Sequence, residues 1–317
     1  MPRLSIVIPW IGSAGPFEDT LAAALQNRPA GCEVLVALAQ PYTDPYHLGD
    51  EVTFLAPSEG ANDFVSLVNR GVAAAEAPVI QVLPCGLTVT DGWTSAALLH
   101  FAEPAVAAVA PVIVCADDTC RVVAAGVNFT AGGARQWAQQ GTRHNVANLI
   151  RTRPLAAPLT GGFFRKSVVE ALGGFDVTLG ESAADLDFAL CAAELGLRTE
   201  CEPTSMVCGD RRLGSGGSFS AGRQLEQLFW RHLSAERRRE TVPGHYLRLA
   251  AELGFALVQP QWLARVAGRM AGWAGSALAA DNQARIALAQ EQLAGESEPQ
   301  ILSMPRMTTS VAHRRAA

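Results

Sequence analysis

The stretch SEGANDFVSLVNRGVAAAEAPVIQVLPCGLTVTDGW, residues 58–93, decides the fold. Apolar residues recur at helical spacing through residues 63–76, which predicts a helix packed on a core. Pro78 ends that helix, because the residue before a proline disfavours helical geometry. Residues 79–83 form a short apolar run, typical of a central parallel strand that is covered on both faces. The strand ends at loop 84–86, and ligands of open α/β sheets bind at such carboxyl ends.

Strands and helices also alternate before this stretch. Residues 4–9 and 33–38 are apolar runs typical of strands, residues 17–26 form a helical pattern between them, and residues 51–55 predict a third strand. Strands and helices that alternate at this spacing build a parallel sheet with helices on its faces. The sequence therefore predicts an α/β fold with a Rossmann-like sheet.

Composition excludes several classes of protein. The chain has 317 residues, 49% of them hydrophobic and 17% charged, with a net charge of −5. A nucleic-acid-binding protein would show a basic stripe, so we expect no nucleic-acid partner. The seven cysteines show no C-x-x-C spacing, which favours free thiols in a reducing compartment. Because the chain enters a strand at once and has no apolar run long enough to span a bilayer, we expect a cytoplasmic protein.

The stretch 58–93 resembles the middle of family 2 glycosyltransferases of the GT-A fold. In that family a glycine, an Asn-x-Gly, an apolar strand, an Asp-x-Asp and a Gly-Trp follow one another. The matching positions here are Gly60, Asn69, Gly71, residues 79–83, Gly92 and Trp93. The Asp-x-Asp is missing, because Pro84, Cys85 and Gly86 stand in its place. The acid that ends the second strand in the family is also missing near Leu38.

A second block, residues 159–208, resembles the acceptor half of the same family. Its matching positions are Thr160, Gly161 and Gly162, the aromatic and basic residues 163–166, the Gly-Gly-Phe-Asp of residues 173–176, the acids Asp185 and Asp187, and Leu195 and Gly196. Two positions depart from the pattern. Ala184 stands where the family has a glutamate before the acids, and Gly209 stands where it has a metal-binding histidine.

The resemblance implies that a sugar, of hexosyl type, passes from a nucleotide-sugar donor to a glycan or other acceptor. The first acid of the family's acidic motif is the general base, which implies a catalytic role for Asp185. The substrate-binding residues expected by the same resemblance are Asn69, Asp91, Trp93, Gly161, Gly162 and Asp187. A plain helix cap is an equal alternative for Asp185, and it is the favoured role of Asp187 and Asp91.

Metal binding is where the sequence departs furthest from the family. The charge of a nucleoside diphosphate is usually neutralised by Mg²⁺ or Mn²⁺ held on carboxylates. The side chains of Pro84, Cys85 and Gly86 offer no such ligand. We therefore expect no tight metal site and no certain cofactor, with arginines and helix N-termini offsetting the charge. The missing motifs leave a second class open, a catalytically inactive relative that acts as a binding or scaffolding module.

Three regions follow from the pattern: a GT-A-like domain at 1–240, a helical appendage at 241–294 and a disordered tail at 295–317. Residues 121–129 predict one strand, and residues 135–148 predict a polar loop that is either mobile over a site or a plain connection. Residues 224–239 predict a helix.

An apolar stripe follows in the appendage, with Arg265 and Arg269 beside it. Its members are Trp262, Val266, Met270, Trp273 and Ala277. It either packs on its own domain, the favoured alternative, or makes a peripheral contact with a membrane or a protein.

Overall fold

The structure is a computed structural model that describes residues 2–12, 14–58, 60, 62–209, 218–233, 238–273 and 278–297. The strands are β1 Leu4–Trp10, β2 Cys32–Leu38, β3 Thr53–Leu55, β4 Val79–Val82, β5 Thr88–Val89, β6 Val106–Val114, β7 Val122–Ala124, β8 Val127–Phe129, β9 Arg135–Trp137, β10 Phe163–Arg165 and β11 Arg198–Cys208. The α-helices are α1 Ala14–Asn27, α2 Phe64–Ala74, α3 Ser95–His100, α4 Val146–Leu149, α5 Lys166–Ala171, α6 Gly180–Glu194, α7 Phe219–Arg231, α8 Arg238–Val258, α9 Leu263–Gly272 and α10 Leu278–Ser297. Most of the predicted tail, residues 298–317, lies outside the described residues.

The main sheet confirms the predicted α/β fold. Its strand order is β3-β2-β1-β4-β10-β6-β11-β5, with β7 paired to β6. Strand β1 lies parallel to both β2 and β4, and Val7 pairs with Leu35 on one side and Val82 on the other. Strand β10 enters antiparallel between β4 and β6. The sheet is therefore mixed, with the predicted parallel strands at one end.

Each face of the sheet carries its own apolar core, because successive side chains of a strand point to opposite faces. Val7, Leu35 and Ile80 pack with residues of α2, α5 and α6. Ile6 and Val34 pack on the other face, with residues of α1 and α3. The central strands are therefore covered on both sides, as their apolar sequences predict.

Helix α2 shows why the Asn-x-Gly pattern is needed. Asp63 caps the helix by accepting from the backbone N–H groups of Val65 and Ser66, both at 3.1 Å. Gly71 faces β1 so closely that a Cβ there would lie 2.2 Å from Val7 Cγ1. Only glycine therefore lets α2 pack at this distance from the sheet.

Asn69 joins α2 to the second sequence block. Its side-chain amide donates to the Phe175 carbonyl at 2.7 Å, and its oxygen accepts from the Phe175 N–H at 2.8 Å. Gly174 precedes with φ +88°, and a Cβ there would lie 3.0 Å from Asn69 Oδ1. The Asn-x-Gly and Gly-Gly-Phe-Asp patterns are thus two halves of one contact.

Several predicted boundaries are wrong. The strand predicted over residues 121–129 is broken into β7 and β8, because Gly126 adopts φ +98° between them. Residues 135–148 are not all loop, since β9 and α4 lie within them. The helix predicted over 224–239 is instead α7, which ends at Arg231, followed by α8 from Arg238.

Helix α9 packs on its own chain, but through the face that carries Arg265 and Arg269, beside the predicted apolar stripe. A Cβ on Gly268 would lie 2.0 Å from the Phe219 carbonyl oxygen, so α9 approaches α7 very closely. Arg265 and Arg269 are buried, while Met270 and Trp273 are 74% and 62% exposed. Ala277 lies outside the described residues. Among the described helices, none has the length and apolar character to cross a bilayer.

Asp187 ties α6 to the C-terminal helices. Its carboxylate is fully buried and accepts from Arg231 at 3.2 Å, His232 at 2.8 Å and Arg285 at 2.7 Å. Burial alone would raise the pKa of Asp187, but the bonded, charged His232 and the two guanidinium groups hold it well below its usual range. Burial would likewise lower the pKa of His232, but its hydrogen bond to Asp187, with Cys191 and Glu194 beside it, raises it to about 10.

Replacing His232 with glutamine should therefore destabilise the fold in a pH-dependent way. The unfolded histidine loses its proton near pH 6.5 and the folded one near pH 10, so its stabilisation is complete below pH 6.5 and is lost as pH rises toward 10. Breaking a buried pair costs about 3–5 kcal/mol. Denaturant unfolding at pH 6, 8 and 10 should show a wild-type excess that shrinks with pH. A pH-independent difference would contradict the charged pair.

The control is His100→Gln, whose pair with Glu202 is partly exposed. Because partly exposed pairs contribute about 1 kcal/mol or less, this variant should stay close to the wild type.

Candidate functional site

The carboxyl ends of three parallel strands meet at one edge of the sheet. Strands β1 and β2 leave the sheet together, since the Ala39 N–H donates to the Trp10 carbonyl at 2.9 Å. Strand β4 ends beside them, where the Leu83 N–H donates to the Val7 carbonyl at 2.8 Å. This edge is where ligands bind in open α/β sheets, so it is the first candidate for a site.

Gln81 of β4 brings the two sequence blocks together at this edge. Trp93 Nε1 donates to Gln81 Oε1 at 3.0 Å, and Gln81 Nε2 donates to the Gly161 carbonyl at 3.3 Å. The Gly161 N–H in turn donates to the Val82 carbonyl at 2.8 Å. Trp93 is 1% exposed, so its ring supports the edge from within.

The segment of Thr160, Gly161 and Gly162 lies along the end of β4. Gly161 adopts φ +102°, which favours glycine, and the Gly162 carbonyl accepts from the Val82 N–H at 3.1 Å. Among the described residues, the buried Thr160 Oγ1 has no hydrogen-bond partner. The two predicted glycines are therefore brought to the candidate edge, where their backbones take part in the sheet.

Loop 84–86 stands where metal ligands are expected. Cys85 is 8% exposed and its thiol donates to the Pro9 carbonyl at 3.4 Å. The Gly86 N–H donates to Thr20 Oγ1 at 2.9 Å and to the Pro16 carbonyl at 3.1 Å. The loop is thus pinned to β1 and to the first turn of α1, and it presents no carboxylate.

Gly209, at the position of the expected histidine, packs on the same loop. It adopts φ +147°, and a Cβ there would lie 2.6 Å from Leu87 Cδ2 and 2.8 Å from the Gly86 carbonyl oxygen. A histidine at 209 would therefore require the loop to move. Among the described residues, loop 84–86 and Gly209 offer no side-chain oxygen ligand of the kind that a hard divalent cation such as Mg²⁺ or Mn²⁺ prefers.

Asp185 lies in the middle of α6 and is 1% exposed. Its two oxygens accept from Arg135 NH1 at 2.5 Å and NH2 at 2.7 Å, and Oδ1 also accepts from the Leu186 N–H at 2.8 Å. The alternative that Asp185 caps the helix is wrong, because α6 begins five residues earlier, at Gly180. Arg135 was not a sequence candidate, since nothing in a polar stretch marks one arginine as the partner of a distant acid.

Asp185 and Asp187 do not share a site. Each helical residue turns about 100°, so side chains two positions apart point to opposite faces. Asp185 faces the β8–β9 hairpin through Arg135, while Asp187 faces α7 and α10. The favoured cap role of Asp187 is also wrong, since it too lies inside α6.

The remaining candidates lie apart. Asp91 is exposed, and it does not cap the next helix, because α3 begins at Ser95 with Thr94 before it. Both ends of the Asn69 side-chain amide form hydrogen bonds with the backbone of Phe175, as described above. The structure therefore gives Asn69 a structural contact and leaves Asp91 on the surface.

One described cluster has the composition of a metal site. Ligand atoms of Asp187, Cys191 and His232 lie within 4.8 Å of one another. Arg231 and Arg285 both contact the Asp187 carboxylate, and the raised pKa of His232 keeps that ring protonated near neutral pH. A protonated histidine has no lone pair for a metal, and two guanidinium groups repel a cation. The cluster fits an ion-pair network rather than a metal centre.

Comparison with known proteins gives a partial sequence match and a fold. No protein-family model matches the chain. The pre-mycofactocin glycosyltransferase of Mycobacterium tuberculosis, in strains CDC 1551 and H37Rv, is 30% identical over 148 residues. That match covers 45% of this chain and 29% of the relative, so the chain matches less than a third of the relative's length.

Three solved structures share the architecture at 13–16% identity. GalNAc-T7 with UDP, GalNAc and Mn²⁺ aligns with a TM-score of 0.55, over 72% of this chain and 47% of that one. The mannosyltransferase PcManGT of Pyrobaculum calidifontis, with GDP-Man and Mn²⁺, aligns at 0.52 over 94% and 88%. S. aureus TarS 1–349 aligns at 0.54 over 93% and 91%. Fold and partial match agree with the sequence patterns: the chain has the GT-A fold of these structures, and 148 of its residues resemble a curated glycosyltransferase.

Proposed function

We propose that the protein transfers a sugar from a nucleotide-sugar donor to a hydroxyl of a glycan or other acceptor. The observation that carries the proposal is the Gln81 bridge, which joins Trp93 and Gly161 at the carboxyl edge of β4. These residues come from the two blocks that resemble family 2 glycosyltransferases, so both blocks meet where a ligand would bind. The partly matching relative, named as a glycosyltransferase, supports the same reaction class, and the structural neighbours support the fold.

The donor diphosphate would bind without a resident metal. Loop 84–86 and Gly209 offer no carboxylate or imidazole ligand, whereas α1, 14 residues long, begins beside that loop and contacts it through Pro16. The N-terminus of a helix carries a partial positive charge and free N–H groups that favour phosphate. We therefore assign to the N-terminal turn of α1 a part in offsetting the charge of the departing nucleotide.

Nucleotide sugars should therefore stabilise the protein equally with Mn²⁺ and with EDTA. Binding at a ligand concentration of 100 times Kd adds about 2.7 kcal/mol to the free energy of unfolding. Thermal shifts with UDP-, GDP- and dTDP-sugars, together with assays of released nucleoside diphosphate, measure this and identify the donor. A shift or a turnover that appears only with Mn²⁺ would contradict metal-independent binding.

Asp185 is the proposed general base, because its position matches the first acid of the family motif. Asp185→Asn should lower turnover about 10²–10⁴-fold, since the amide cannot accept the acceptor's proton. It should also destabilise the protein by about 3–5 kcal/mol, because it breaks the buried pair with Arg135. Turnover per folded molecule, with the melting temperature, measures both effects.

The matched control is Asp176→Asn, which weakens another partly buried pair, that of Asp176 with Arg231. It should lower the melting temperature and leave turnover per folded molecule within about twofold. If turnover survives Asp185→Asn, the base lies elsewhere.

The alternative of a catalytically inactive binding or scaffolding module is not favoured over transfer. The Asp-x-Asp, one of the missing motifs that suggested it, falls in a loop whose packing is complete without it. Its distinguishing result is nucleotide-sugar binding with neither transfer nor hydrolysis by the wild type.

A peripheral contact through α8 and α9 is a separate proposal. Leu257, Val258 and Met270 are 78%, 80% and 74% exposed, and residues 253–264 contain no charged side chain. Between the two helices lies an apolar groove of about 300 Å³, lined by side chains that include Leu253 and Trp273. An amphipathic segment that exposes its apolar side suits the interfacial layer of a membrane, so we place the protein in the cytoplasm with a peripheral membrane contact.

The double variant Leu257→Ser and Met270→Ser tests this contact. The wild type should float with phosphatidylcholine–phosphatidylglycerol vesicles and the variant should not, because about 1.5–3 kcal/mol of burial is lost for each side chain. Leu99→Ser, at an exposed leucine of α3, is the control and should still float. Self-association of the wild type in place of vesicle binding would favour a protein partner.

A further inference from the structure

We propose that Arg135 is a positioning residue for Asp185, and that the C-terminal helices hold Arg135 in place through the turn of the β8–β9 hairpin. The proposal rests on the proposed function, because it assigns a role to Arg135 in the use of Asp185 as a base. It adds an element of control that neither the sequence patterns nor the comparisons name.

Arg135 and Asp185 form a buried ion pair with a fixed geometry. The Arg135 side chain is 3% exposed and donates to both oxygens of Asp185 in a bidentate arrangement. Arg135 also donates to the Ser182 carbonyl at 3.1 Å, and its guanidinium lies 4.6 Å from the centre of the Trp137 ring. Four contacts fix the guanidinium, and the planar fork fixes the plane of the carboxylate in turn.

The pair with Arg135 leaves one lone pair of the Asp185 carboxylate for a substrate. A carboxylate oxygen has two lone pairs. Oδ1 accepts from Arg135 and from Leu186, whereas among the described residues Oδ2 accepts from Arg135 alone. One lone pair of Oδ2 is thus left for an acceptor hydroxyl, and its direction is set by Arg135. Asp185 is 1% exposed, and the hairpin that carries Arg135 contacts its carboxylate directly.

The turn of the β8–β9 hairpin is anchored by residues of α8 and α9. The turn is closed by the Thr130 N–H, which donates to the Ala134 carbonyl at 2.9 Å. On the outside of the turn, His245 Nδ1 lies 3.0 Å from the Gly132 carbonyl oxygen, and Arg269 NH2 donates to the Gly133 carbonyl at 3.1 Å. The hairpin is therefore held at its stem by α6 and at its turn by α8 and α9.

The two anchoring residues, Arg269 and His245, belong to a buried network of ion pairs and ring contacts. Arg269 is 1% exposed and pairs with Glu252 at 2.7 Å and with Glu226 at 3.1 Å. His245 is fully buried, lies 2.9 Å from Glu226, and stacks on Phe229 with ring centres 3.7 Å apart. Removing one partner of such a network is costly, so the network resists separation of the helices from the turn. A displacement of α8 or α9 would thus shift the hairpin turn and, through it, the position of Arg135.

Arg135→Lys and Arg269→Lys test the two halves of the proposal. Arg135→Lys keeps a charge but loses the fork, so kcat should fall at least about tenfold, with the KM for the donor within about twofold, because misplacing a catalytic group by 1 Å costs up to about 10²-fold. Arg269→Lys should lower kcat in the same pattern and speed hydrogen exchange of the amides in residues 127–137. Exchange measured by mass spectrometry needs no substrate.

The matched control is Arg285→Lys, which weakens the corresponding pair of Asp187 on the opposite face of α6. It should lower the melting temperature without speeding exchange in the hairpin. Unchanged hairpin exchange in Arg269→Lys, or a change in KM rather than kcat in Arg135→Lys, would overturn the proposal. A wild type without turnover on any donor would overturn the proposed function and the positioning role together, while exchange would still decide whether the helices hold the hairpin.

Discussion

Two carboxylates buried two residues apart on one helix constrain much of this structure. A buried charge needs a partner, and neighbouring elements must supply it. Asp185 and Asp187 point to opposite faces of α6. Asp185 therefore pairs with the β8–β9 hairpin, and Asp187 pairs with α7 and α10. With only 17% of residues charged, few alternative partners exist. Helix α6 thereby joins the sheet domain to the C-terminal helices.

The fold could be predicted where the signal is local. The apolar runs of β1, β2 and β4 predicted neighbouring parallel strands, and the structure confirms them. The Asn-x-Gly and Gly-Gly-Phe-Asp patterns were recognisable, but their direct contact was not, since 106 residues separate Asn69 from Phe175. A pattern gives the order of such residues, and only the packed chain gives the bond between them.

The errors arose where distant partners override local preference. Acids that precede an apolar run are typical of helix caps, yet α6 begins earlier, at Gly180, whose φ of +52° suits glycine. The pattern of α9 gave the residues that share a face but not the face that is buried. Glu226 and Glu252 decide it, because they pair with Arg269 and turn the arginine side inward. Neither glutamate was singled out in the sequence, because Arg269 lies 17 residues from Glu252 and 43 residues from Glu226 along the chain.

The candidate site shows that separate sequence departures can form one physical unit. Loop 84–86 and Gly209 look like independent losses of metal ligands, but Gly209 packs directly on Gly86 and Leu87. A side chain at 209 would displace the loop, and the loop is fixed in turn by Pro9 and Thr20. Restoring a histidine at 209 alone would therefore strain this edge before it bound a cation. The same packing brings the first turn of α1 into contact with the loop, since the Gly86 N–H donates to the Pro16 carbonyl, and this contact is why the proposed function assigns the charge of a donor diphosphate to that helix.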